Sequence, residues 1–99
     1  MNKYGTTYTF ERLTFVKDSI GYEWSVVVAY KRSDGAFAVV ADSGCSCNWY
    51  EEEYALDNAS WFFDKAELYR RFDTAIDANF ALSVAQKVQA KADLRQASV

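Results

Sequence analysis

Apolar and polar residues alternate along residues 22–31. Tyr22, Trp24, Val26, Val28 and Tyr30 hold the even positions, and Glu23, Ser25, Val27, Ala29 and Lys31 stand between them. A period of two is the mark of a strand. Asp34 and Gly35 follow, and a two-residue turn there predicts that Arg32 pairs with Phe37, Tyr30 with Val39 and Val28 with Ala41. Residues 6–16, rich in Thr, Tyr and Phe, also read as strand. Their apolar parity switches between Tyr8/Phe10 and Leu13/Phe15, which predicts a bulge or break near Glu11 and Arg12. Residues 17–21 are then the turn into the next strand. The pattern predicts a three-stranded antiparallel meander over 6–43, four-stranded if the first segment splits at Glu11.

The second half changes period. Leu68, Phe72, Ile76, Phe80, Val84 and Val88 recur every fourth residue. Each such step overshoots one helical turn by about 40°, so five steps rotate the stripe by about 200°. One straight helix does not keep that stripe on one face. The expectation is a helix over 64–72, opened by a capping box of Asp64 and Glu67, then Asp73 as a second N-cap and a long helix over 74–95. The tail QKVQAKADLRQ is too polar to bury and is expected to project. The predicted fold class is α+β, a single domain over 1–99, its meander packed on one face by a short helix and a long C-terminal helix. An aromatic-acidic connection over 44–63 joins the two parts. The expected core is Trp24, Val26, Val28, Tyr30, Phe37, Val39, Phe72, Ile76 and Phe80.

Ninety-nine residues, half of them apolar and seventeen aromatic, suffice for one modest core. No apolar run approaches the roughly 20 residues that cross a bilayer, and the opening MNKYGTTYTFER lacks the apolar core of a secretory signal. A cytoplasmic, membrane-free setting with reduced cysteines is the expectation. Net charge is −3, with five Lys/Arg against nine Asp/Glu in residues 1–60 and six against five in 61–99. A nucleic-acid partner is disfavoured, because neutralising phosphates takes a basic surplus. Lys87, Lys91 and Arg95 share one helix face and are expected to be solvated.

The absence of histidine removes Cys-His and Ser-His-Asp catalysis and mixed Cys/His zinc sites. No spaced carboxylate pair offers a general acid beside a general base, and no glycine-rich phosphate loop is present. The expectation is a non-enzyme without cofactors. The only cysteines, Cys45 and Cys47, lie in DSGCSCN. Three readings stay open: small thiols packed behind a turn, an intermolecular disulfide or metal site in which two chains each supply both cysteines, and a reactive thiol. Asp42, Ser43 and Gly44 read as the turn itself, since Asp and Ser bond nearby amides and Gly permits positive φ. Beyond them, Trp49, Tyr50, Glu51, Glu52, Glu53 and Tyr54 form an aromatic-acidic run without regular period. Charge runs are usually solvated loops, yet Trp and Tyr concentrate at binding hot spots. These six are the candidate partner-binding residues.

The stretch YEWSVVVAYKRSDGAFAVVADSGCSCNWYEE and, more loosely, the helix beginning DKAELYRRF resemble a family of small uncharacterised proteins from tailed phages of actinobacteria. The specific element is D-S-G-C-S-C after a hairpin, and the resemblance spans roughly residues 12–76. Family members often carry proline after the second cysteine and a Trp-Glu pair, where this chain has Asn48-Trp49-Tyr50-Glu51. The resemblance implies phage origin and action in the host cytoplasm, and no activity comes with it. The function expected is binding of a bacterial host protein, for host takeover or counter-defence. The alternatives are self-association, as in a homodimer, through the C-terminal helix, and an acidic decoy for a nucleic-acid-binding enzyme.

Overall fold

The computed structural model describes residues 8–97. Thr6 and Thr7, where the sequence pattern starts the first strand, and residues 1–7 of the opening MNKYGTTYTFER lie outside the described residues. The elements run β1 (Phe10–Ile20), β2 (Glu23–Arg32), β3 (Phe37–Cys45), α1 (Glu52–Asn58), α2 (Lys65–Ala78) and α3 (Val84–Gln96). Three antiparallel strands form one open sheet in the order β1-β2-β3, and with the helices they make an α+β fold.

β1 stays one strand. The expected irregularity falls between Arg12 and Thr14, where Leu13 has no partner on β2. The strand also continues through 17–20, where the sequence pattern predicts a turn; the connection is only Gly21 and Tyr22, with Gly21 at φ 61. A two-residue hairpin with glycine first accounts for that economy. At the other hairpin the loop is three residues long. Arg32 N–H donates to Ala36 O at 2.7 Å, Gly35 N–H donates to Arg32 O at 2.9 Å, and Gly35 takes φ 94. The expected pairs therefore slip by one: Lys31 faces Phe37, Tyr30 faces Ala38, Ala29 faces Val39 and Val28 faces Val40.

That slip decides which side chains share a face. Val27, Ala29, Phe37 and Val39 lie with Leu68, Phe72, Ile76, Leu82, Ala90 and Leu94, so α2 and α3 cover one face of the sheet. Trp24, Val26, Val28 and Tyr30 lie on the other face with Val40, Tyr50, Leu56 and Trp61. The expected single core is thus two cores, one per face. The connection over 44–63, with α1 in it, covers the second. Phe37 and Phe62 exchange backbone hydrogen bonds at 2.6 and 3.0 Å and fasten the end of that connection to β3.

The helix boundaries also move. Asp64 caps α2 by accepting from Ala66 N–H at 2.9 Å, but Glu67 turns to Arg70 and Arg71 instead of closing a box. Asp73 is not a cap. It lies inside α2, where both its oxygens accept from Arg95, at 3.0 and 2.7 Å. The break comes at 79–83: Asn79 Oδ1 accepts from the amides of Ala81 and Leu82, and Ser83 with Gln86 forms a full capping box for α3. The chain axis turns there, so the four-residue stripe divides. Leu68, Phe72 and Ile76 are buried, whereas Phe80 is 60% exposed and Val84 and Val88 more so. Phe80 is therefore not core. Nor does the last helix project: Ala90 and Leu94 are buried. Lys87, Lys91 and Arg95 keep solvent contact, as expected, and also bond α2 at Asp77 O, Asp77 Oδ1 and Asp73. Among the described residues no helix is long and apolar enough to cross a membrane.

Candidate functional site

Asp42, Ser43 and Gly44 are strand, not turn. They pair with Val26, Ser25 and Trp24 as the last part of β3. Opposite residues of an antiparallel pair share a face, so Asp42 and Gly44 lie on the side covered by the connection. Glycine is required at 44 by proximity: a Cβ there would stand 2.7 Å from Trp24 Cζ2 and 2.6 Å from Asn48 Oδ1. The turn follows at Ser46 and Cys47, closed by Asn48 N–H donating to Cys45 O at 3.2 Å. Trp24 Nε1–H reaches the same segment, donating to Cys45 O at 2.9 Å and Asn48 O at 3.0 Å. Cys45 and Cys47 are joined as a disulfide and both are exposed. The expected reduced, packed thiols are thus corrected, and in this state neither sulfur is a free thiolate for a metal shared between chains.

The six residues of the aromatic-acidic run divide into two groups. Tyr50 and Glu52 turn inward. Tyr30 Oη donates to Glu52 Oε2 at 2.8 Å, and Arg12 Nε donates to the same oxygen at 2.6 Å. Since Tyr30 has given its one proton to a carboxylate that can only accept, Tyr50 Oη donates to Tyr30 Oη. Burial pushes the Tyr30 phenol well above its ordinary pKa, and its bonds to Tyr50 and Glu52 push the same way. Burial also raises Tyr50, against the lowering effect of its bond to Tyr30. The Arg12 guanidinium holds the Glu52 carboxyl below its ordinary value, although desolvation opposes it, and the bond from Tyr30 helps. Arg12 is raised in turn by Glu52 and lies over the Phe15 ring, 4.5 Å from its centroid. With both phenols buried, this chain of groups acts as a clasp that locks α1 onto the sheet.

Trp49, Glu51, Glu53 and Tyr54 turn outward. Trp49 is 48% exposed, packs against Trp24 in a tilted arrangement with ring centroids 5.1 Å apart, and carries Lys17 Nζ 4.9 Å from its own ring centroid. Tyr54 is 69% exposed on the free side of α1. Between α1 and the end of β3 lies an open groove of about 240 Å³, lined by Trp24, Asp42, Ser43, Asn48, Trp49, Glu51 and Tyr54. The structure thus brings together five of the nine residues singled out in the sequence, while Gly44 supports the floor and Glu53 stands outside. Two carboxylates and three rings line the groove among the described residues, and Lys17 stands over one of those rings.

Sequence reasoning missed Trp24 and Asn48 in the groove, and Arg12 and Tyr30 in the clasp. With the correct hairpin register, Trp24 opposite Gly44 was open to inference as a bulky ring over a residue without a side chain. Helix α1 also had a signal: Glu52 and Glu53 occupy its first turn, where the helix dipole favours negative charge, and Ala55 and Leu56 supply its sheet-facing side. Among the described residues no group of three or more Cys, Asp or Glu is placed to hold a metal ion. No protein-family model, curated protein or solved structure matches the chain.

Proposed function

We propose that this is a small non-enzymatic protein, encoded by a phage, that binds a bacterial host protein through the groove between α1 and β3. The observation that carries the binding role is the meeting of Asp42, Ser43, Trp49, Glu51 and Tyr54 around one open groove, although the chain separates them by up to a dozen positions. The phage setting rests on the D-S-G-C-S-C resemblance. Exposed aromatic rings bearing polar edges supply contact area at low entropic cost, as at binding hot spots. The paired carboxylates match a basic partner, and a Lys or Arg side chain is the group this lining would take. Trp49 already accepts the ammonium of Lys17 on its ring, the geometry of a cation–π contact.

The test is affinity capture from an actinobacterial lysate with three baits: wild type, Trp49→Ala/Tyr54→Ala, and Val84→Ser/Val88→Ser. Loss of a captured protein with the first variant alone, and weakening of capture as salt rises, is the expected result. A partner indifferent to the groove variant overturns the proposal.

A second reading has its own observation. Val84 and Val88, four residues apart on α3, are both exposed apolar side chains, and Phe80 is exposed in the connection before that helix, a surface suited to self-association. Sedimentation of the Val84→Ser/Val88→Ser variant against wild type decides it: a change of mass supports a dimer, and two identical monomers end that reading.

A further inference from the structure

The turn at 45–47 carries a chemistry that the groove does not use. Cys45 ends β3 and Cys47 lies one residue beyond Ser46, their Cα atoms 5.4 Å apart, a separation a disulfide readily spans. Both cysteines are exposed, so a thiolate from solution has access to the bond. Exposed disulfides are the labile ones, in contrast to those sealed in a core. The bond also closes a ring around the segment that holds Trp24. The indole Nε1–H is shared between Cys45 O and Asn48 O, the two carbonyls that bracket the disulfide, and Asn48 N–H closes the turn onto Cys45 O. Trp24 in turn supports Trp49, and both rings line the groove. Sulfur chemistry at the turn is thus one hydrogen bond from the aromatic wall.

We propose that Cys45 and Cys47 form a thiol–disulfide exchange site, open to low-molecular-weight thiols, whose oxidation state sets the position of Trp24 and Trp49. A thiolate attacks one sulfur, the S–S bond breaks, and the other sulfur leaves as a thiolate and takes a proton. A second reductant thiol then displaces the first, so the protein gains two electrons and two protons and the reductant ends as its own disulfide. In the oxidised form the closed ring fixes Asn48 O beneath the indole. In the reduced form Ser46 and Cys47 lose that tether and Trp24 shares its proton less well. What the switch controls rests on the binding role proposed above; the exchange itself does not.

The experiment uses the full chain without denaturant. Iodoacetamide is added before and after dithiothreitol, labels are counted by mass, and tryptophan emission is followed throughout. The expected result is no label before reduction, two labels after it, and a red shift of emission that Cys45→Ser/Cys47→Ser does not show on adding dithiothreitol. Labelling before reduction, or labelling that requires denaturant, overturns the exchange site. Two labels without an emission change overturn the coupling to Trp24. None of these readouts involves a partner, so failure here and failure of the binding proposal are separately visible.

Discussion

Replacing Leu94 by alanine distinguishes a docked last helix from a projecting one. Leu94 is 0% exposed and belongs to the cluster beneath α2 and α3, with Leu68, Phe72 and Leu82. The substitution removes three carbon groups, worth about 2.4 kcal/mol of transfer free energy at about 0.8 kcal/mol each. A cavity term adds to this, and buried Leu→Ala changes range over about 2–5 kcal/mol. Leu94 lies near the end of the final helix, where neighbours can relax inward, so about 3 kcal/mol is expected. On the scale of about 4–8 °C per kcal/mol for a domain of this size, the melting midpoint falls by roughly 12–24 °C. Urea unfolding followed by far-UV circular dichroism measures the loss, with an unchanged slope showing that the same surface unfolds. Val88→Ala on the same helix is the control: Val88 is 64% exposed, and surface changes stay within about 0.5 kcal/mol. Equal, negligible effects at 94 and 88 would refute docking of α3.

Three further predictions follow from the second face of the sheet. Gly44→Ala drives a methyl group against Trp24 and Asn48 and costs about 1–3 kcal/mol, as overpacking does; near-wild-type stability with unchanged tryptophan emission contradicts the close approach. Tyr30→Phe leaves the buried Tyr50 hydroxyl without its acceptor and costs about 1–3 kcal/mol, which Tyr50→Phe in the same chain partly restores in a double-mutant cycle. Glu52 has a folded pKa below its unfolded one because of Arg12. Its contribution is therefore complete above the ordinary carboxylate range and is lost as pH falls through that range toward the folded value. Glu67, held at about 2 by Arg70 and Arg71, loses its partners in the same acid limb. Stability curves of Glu52→Gln and wild type should accordingly converge as pH falls, and a constant gap from neutral to acid pH contradicts the role given to Glu52.

How far the sequence was legible follows from what each element depends on. Strand periodicity and the Asp-Gly signal located the second hairpin, because both are local. Its register depended on one residue of loop length, and that single slip moved Phe37 and Val39 to the face opposite Tyr30. The run at 24–30, buried throughout, carried the correcting signal in Val27 and Ala29: apolar residues at the supposed outward positions mark a strand covered on both sides. Asp73 mimicked a cap because Asp favours helix starts, but its carboxylate was committed to Arg95, a partner 22 residues away. The true break was written locally, as Ser83 with Gln86. In the candidate site, residue types were legible while directions were not. Tyr50 and Glu52 turn inward only because Arg12 and Tyr30 await them on β1 and β2, a long-range pairing that no window of sequence contains.

The claim that the groove between α1 and β3 is the contact surface is tested most directly by placing a photo-crosslinking p-benzoylphenylalanine at position 54 or at position 88. Both sites are exposed, and both tolerate a large ring without disturbing a core. After irradiation in actinobacterial lysate, the account predicts a single covalent heteroadduct from position 54, abolished by Asp42→Asn/Glu51→Gln, and none from position 88. An adduct formed only from position 88, or one joining two copies of this chain, would contradict it.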